Sequence, residues 1–196
     1  SVTITAKSVE GQLAQTLKLR QLHIRWTQGN ATVDELQLSA RPWTLLGGTL
    51  RIPSLTLKNV AVTDNAPEKP PVLKWPKVSG LALWLGAAID HLDIENLTYR
   101  HLDKQPLVIK NVTASVKWTR GYLSARDMAI VADPVVLSGQ IRAGFSQPLL
   151  EMDVTALPSQ PPAGMERFHI TGAFSPGKIP EQIAGNLRLS GCPNAQ

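Results

Sequence analysis

A two-residue alternation of apolar side chains, broken at intervals by a three-residue step, runs through most of this 196-residue chain. It is clearest in residues 49–63, where Leu50 and Ile52 form one pair, Leu55 and Leu57 a second, and Val60 and Val62 a third. Within a pair, a spacing of two places both residues on one face of a strand. The step of three between pairs would flip the face of an unbroken strand. A bulge or a tight turn at each junction restores it. The same stutter recurs in Ile89, Leu92, Ile94, Leu97 and Tyr99, and again in Leu107, Ile109, Val112, Ala114, Val116 and Trp118. One face is therefore predicted to stay apolar through many successive short strands. Thr, Lys, Arg, Ser, Asp and Asn fall on the other.

The pattern also repeats on a longer scale. His23-Ile-Arg-Trp-Thr-Gln-Gly29 returns as Ser115-Val-Lys-Trp-Thr-Arg-Gly121, and each copy leads to a Leu-x-Gly step, Leu46-Gly47-Gly48 and Leu137-Ser138-Gly139. Repetition of a β-unit points to a function carried by an extended surface. Residues 65–71 (Asn-Ala-Pro-Glu-Lys-Pro-Pro) are a proline-rich connector between the copies, and residues 158–164 and 175–180 read as further loops. The expectation is one continuous module of two related units, about 1–63 and 77–157. A connector at 64–76 separates them, and a C-terminal strand region at 165–191 follows. No amphipathic helix of three turns is evident. Arg41 to Gly48 has room for one helical turn, and Leu81 to Ala88 reads as strand or helix. A long sheet without a helical layer folds on itself, packs a second sheet, or holds an apolar ligand.

Composition narrows the function. Charged residues are 18% of the chain, below the roughly 25% of an average soluble domain. The net charge of +5 and pI near 9.6 raise the question of nucleic acid. The cations, among them Lys18, Arg20, Arg25, Lys58, Lys110 and Lys117, are scattered singly along strands, and no nucleic-acid-binding motif accompanies them. No nucleic-acid partner is expected; weak attraction to anionic headgroups fits better. The single cysteine, Cys192, cannot form an intramolecular disulfide. The apolar run from Leu81 to Ile89 is too short to cross a bilayer as a helix. No signal peptide is recognisable, and a start at Ser1 reads as an excised piece of a longer protein.

Catalytic and metal chemistry finds little support. His23 and His169 occupy polar slots of predicted strands, and no two of the four histidines have the spacing of a helical metal pair. Asp90, Asp93 and Glu95 fill the polar slots between Ile89, Leu92, Ile94 and Leu97, which reads as a solvated face. No nucleophile elbow, dinucleotide fingerprint or Walker motif is present, and Gly47-Gly48 reads as a turn. Sequons at Asn30, Asn96 and Asn111 matter only in a eukaryotic secretory host. No enzymatic role, metal or cofactor is expected. Trp26 and Trp118, at equivalent places in the two copies, are either strand-end packing residues or lining residues at the rim of a groove.

Residues 9–13, 17–26, 33–38, 42–52 and 55–62 together resemble the N-terminal periplasmic part of the TamB/AsmA-like family of bacterial envelope proteins. Residues 89–99, 107–118, 137–142 and 183–191 continue the likeness. The resemblance implies an all-β fold: a long, mostly antiparallel sheet curled into an open groove, or β-taco, with an apolar interior and little or no helix. It implies a periplasmic location, in a parent protein anchored to the inner membrane by a segment outside this chain. It also implies phospholipid transport between inner and outer membranes and a link to outer-membrane protein assembly, the barrel partner TamA being met through regions outside this chain. Phospholipid acyl chains would be sheltered by Leu17, Leu19, Leu22, Ile24, Trp26, Leu36, Leu38, Leu50, Ile52, Leu55, Leu57, Val60 and Val62 in the first unit. In the second unit Ile89, Leu92, Ile94, Leu97, Leu107, Ile109, Val112, Val116 and Trp118 would do so. With roughly 14 strands about 4.8 Å apart, the sheet would span about 65 Å. Its open edges would pair with a second copy to form an edge-strand dimer. Two other readings remain: a chaperone-like scaffold for unfolded outer-membrane β-strands, and an enzyme of the β-helix type.

Overall fold

The computed structural model describes residues 2–67, 85–102, 104–119, 121–144, 149–160, 166–177 and 183–192. These form one sheet whose eleven strands lie side by side in chain order. The strands are β1 (Thr3–Gly11), β2 (Leu17–Trp26), β3 (Gly29–Arg41), β4 (Thr49–Asp64), β5 (Gly86–His101), β6 (Leu107–Thr119), β7 (Tyr122–Ala132), β8 (Val135–Gly144), β9 (Leu149–Pro158), β10 (Arg167–Pro176) and β11 (Ile183–Cys192). Every neighbouring pair is antiparallel except β4 and β5, which run parallel. The sheet does not close: β1 pairs only with β2, and β11 only with β10. The helical turn expected after Arg41 is a 3-10 helix, Pro42–Gly47, ended by Gly48 in the left-handed region at φ 78°.

The stutter has two causes, and one is the bulge that the sequence led us to expect: the register shifts at Ile89/Leu92 and at Ile109/Asn111. The three apolar pairs of residues 49–63 lie in one continuous 16-residue strand rather than in successive short ones. At three other steps the face is restored by a single residue with left-handed backbone. Gln21 (φ 51°) sits between Leu19 and Leu22, Asn59 (φ 52°) between Leu57 and Val60, and Asn96 (φ 57°) between Ile94 and Leu97. Asn tolerates this region better than most residues because its side chain hydrogen-bonds locally. The three kinks are aligned. Gln21 and Asp34 are skipped together in the β2–β3 register, Asp34 and Asn59 in β3–β4, and Asn59 and Asn96 in β4–β5. A hydrogen-bond ladder joins Asp34, Asn59 and Asn96 along this line: Asn59 Nδ2 donates to Asp34 Oδ2 at 2.9 Å, and Asn96 Nδ2 donates to Asn59 Oδ1 at 3.1 Å. A second line of irregularity crosses β5 to β8, with register shifts at Ile89/Leu92, Thr113/Ser115 and Ala125/Met128. Asp127 (φ 50°) and Gly139 (φ 147°) lie on it.

The two lines are where the sheet is buried. Leu22, Val33 and Val60 form one buried cluster beside the first line; Ala114, Met128 and Val154 form the other along the second. No second layer covers them among the described residues, and every substantial contact between strands joins sheet neighbours. A single layer buries side chains only by curling along its own kinks. No described residue with a large side chain is fully buried. The accessible surface, 13245 Å², exceeds the roughly 9,100 Å² of a compact monomer of 21.3 kDa.

Three expectations are corrected. Among the described residues the strands number eleven rather than about fourteen, so the described sheet extends about 48 Å across its strands. The two sequence repeats are not in equivalent places, because the parallel β4–β5 step reverses the direction of everything after it. Trp26 shares a row with Asp64 and His101, whereas Trp118 shares one with Leu50 and Ala87. The two tryptophans therefore mark opposite rims, roughly 45 Å apart along β4. The two Leu-x-Gly steps differ too: Leu46 and Gly47 lie in the 3-10 helix and Leu137 to Gly139 inside β8. Most of the connector at 64–76 lies outside the described residues.

A candidate apolar groove

Cross-strand register assigns side chains to faces, because paired residues point the same way. One row contains Leu50, Ala87, Trp118, Leu123, Ala143 and Leu150. The next contains Ile52, Ile89, Val116, Ala125, Ile141 and Met152. Between the kink lines run Leu17, Leu38, Leu55, Leu92 and Ala114, then Leu19, Leu36, Leu57, Ile94, Val112, Ile130, Leu137, Ala156 and Phe168. Beyond the first line lie Leu22, Val33, Val60, Leu97 and Ile109, then Ile24, Ala31, Val62, Tyr99 and Leu107. Trp26 ends the set, its ring lying over Gly29. All of the candidate lining residues named from sequence thus share one face of the sheet.

Burial grades across that face. Leu22 and Val60 are 7% and 8% exposed, while Leu107 near the rim is 52% exposed. The other candidates are half-buried. The sequence reading missed the part of the face built by β7 to β10, including Leu123, Met128, Ile130, Met152 and Val154. There Ala125, Ala129, Ala132, Ala143 and Gly139 dilute the contrast that makes alternation visible.

The opposite face is polar and its charges alternate. Arg20, Glu35, Lys58 and Glu95 stand in one row across β2 to β5. Lys18 Nζ reaches Glu35 Oε2 at 2.7 Å, and Lys58 Nζ lies 3.5 Å from Glu95 Oε2. The hydrogen bond from Lys18 is the main force holding the Glu35 carboxyl below its usual range. Asp90 pairs with Arg51 at 2.8 Å, and Asp93 accepts from Asn111 Nδ2 at 2.8 Å. With Glu95 on Lys58, each acid of the Asp90–Glu95 segment has its own partner. His23 and His91 are exposed, and His169 Nε2 lies 2.6 Å from Asp153 Oδ1. Among the described residues no three potential metal ligands converge.

One polar cluster lies at a rim of the apolar face. Tyr99 Oη donates to Asp64 Oδ2 at 3.3 Å, and His101 Nδ1 lies 3.7 Å from the same oxygen. Burial first, and then Asp64, push the Tyr99 phenol above its ordinary pKa. No described helix is long and apolar enough to span a membrane. Compared with protein-family models and with curated proteins, the chain finds no match.

Proposed function

We propose that the chain is a segment of a periplasmic conduit along which phospholipids move between inner and outer membranes, as its resemblance to TamB/AsmA-like proteins implies. The observation that carries the reading is the continuity of the apolar rows across the strands, on a face that no described layer covers. Each lipid methylene removed from water gains about 0.8 kcal/mol. A face of Leu, Ile and Val offers that shelter without directional contacts, so no single position traps a passing chain. Headgroups stay at the open side. A run of about 48 Å is shorter than the gap between two membranes, so the segment works within a longer assembly. No bond-making step, metal or cofactor enters this mechanism. TamA, in this reading, meets other parts of the parent protein.

A photo-crosslinking side chain tests the reading. At Leu57 it is expected to capture co-purifying phospholipid, and at Lys58, the next residue on the opposite face, it is not. Equal capture at both positions would refute a two-faced conduit. Native mass spectrometry of Leu107→Asp gives a second readout. That residue is more than half exposed, so the fold should survive while lipid occupancy drops.

The exposed outer strands favour a second reading, a scaffold that shelters unfolded outer-membrane β-strands. β1 and β11 present unpaired backbone groups together with Ile4, Val9, Leu187 and Leu189, all more than 60% exposed. Crosslinking of nascent barrel strands to β11, with no lipid captured at Leu57, would select this reading over conduction.

A further inference from the structure

We infer that the polar face holds a site for a phosphate group, formed by β6, β7, β8 and β9. A hollow of about 550 Å³ lies there, within the size range of small-ligand sites. Its floor follows from the register. Lys117 stands opposite Ser124, Ser124 opposite Arg142, and Arg142 opposite Glu151. Arg126 is two residues along β7 from Ser124, on the same face. Three long cationic side chains thus surround one small hydroxyl residue, and the size mismatch creates the space.

The cations differ in their engagement. Arg142 is held: its guanidinium sits 4.4 Å from the centre of the Tyr122 ring, and Nη1 lies 3.6 Å from Glu151 Oε2. The other acid of the hollow, Asp153, is taken by His169. Lys117 and Arg126 have no ion pair among the described residues. Two uncommitted positive charges beside a fixed arginine and a hydroxyl suit a phosphate dianion, whose oxygens accept several charge-assisted hydrogen bonds. Ser124 Oγ spends its hydrogen on the Lys117 carbonyl at 3.4 Å, a bond long enough to exchange for a phosphate oxygen. Its charged side chains stand on the face opposite the apolar rows, and Ala125, Ile141 and Met152 of those rows complete the lining. The phosphate is free, as in inorganic phosphate or glycerol 3-phosphate, or is the headgroup of phosphatidic acid.

Calorimetric titration at fixed ionic strength tests the site. Inorganic phosphate and glycerol 3-phosphate are titrated in one arm. Vesicles of phosphatidylcholine with and without phosphatidic acid are compared in the other. Saturable binding in the first arm identifies a soluble ligand; binding in the second alone identifies the lipid headgroup. In either case Lys117→Gln and Arg126→Gln are each expected to weaken binding about tenfold, the worth of one charge-assisted bond. Lys58→Gln, on the same face but outside the hollow, should leave it unchanged. The proposal is overturned if neither arm saturates, or if Lys58→Gln weakens binding as much as the two hollow variants do.

Discussion

Replacing Asn59 by valine tests the aligned-kink account of the curl. Asn59 has φ 52°, and a β-branched side chain is disfavoured there by about 1–2 kcal/mol. The change also removes both rungs of the ladder, the bond to Asp34 Oδ2 and the bond from Asn96. These lie at the exposed surface, so the low end of the usual range applies, about 0.5 kcal/mol each. Asn59→Val should therefore cost about 2–3 kcal/mol. Asn59→Gly loses the same two bonds but accepts the backbone angle, so its cost should be near 1 kcal/mol. With a urea m-value of about 2 kcal/mol/M, the valine midpoint should fall about 0.5–1 M below the glycine midpoint. Equilibrium urea unfolding of the two variants reads this difference directly. Coincident midpoints would mean that the backbone angle at Asn59 carries no strain for a branched residue. The explanation of the stutter would then fail.

Three further expectations follow from other parts of the sheet. Gly139→Ala should destabilise by at least about 2 kcal/mol, because φ is 147° and a Cβ there would collide with the Asp153 carbonyl; thermal unfolding measures it. Glu35 has a lowered carboxyl pKa, so its pairing with Lys18 stabilises the fold above the ordinary glutamate range. That support is lost as pH falls through the lowered value; Lys18→Gln should raise the Glu35 pKa in carboxyl NMR, and its stability deficit should vanish in acid. Leu189→Lys on the outer strand should suppress any concentration-dependent association through that edge, as sedimentation velocity will show.

The strand class and the apolar face were legible because a period of two survives in Leu50 to Val62 and in Ile89 to Tyr99. Legibility failed where local chemistry overrode the period. The three-residue steps read as bulges or tight turns, which held at Ile89/Leu92 but not at Asn59 and Asn96, because left-handed geometry leaves no mark in hydropathy. The parallel step between β4 and β5 was hidden altogether, since pairing direction depends on a crossover and not on either strand. That is why matching sequence copies ended on opposite rims. The phosphate hollow was invisible for a related reason. Lys117, Ser124, Arg126 and Arg142 lie on three strands and are brought to one hollow only by the register between them. The lining residues of β7 to β10 were obscured by their alanines and glycines.

Among the described residues, the substantial contacts between strands all join sheet neighbours, which gives the sheet the mechanics of a ruler. Each strand is stabilised by its two neighbours, so the total is close to a sum of local increments, as in repeat proteins. Inserting or deleting one hairpin would leave distant strands undisturbed and keep the flanking chain directions. The length of such a trough can therefore drift over evolution in steps of about 10 Å, two strand spacings at a time.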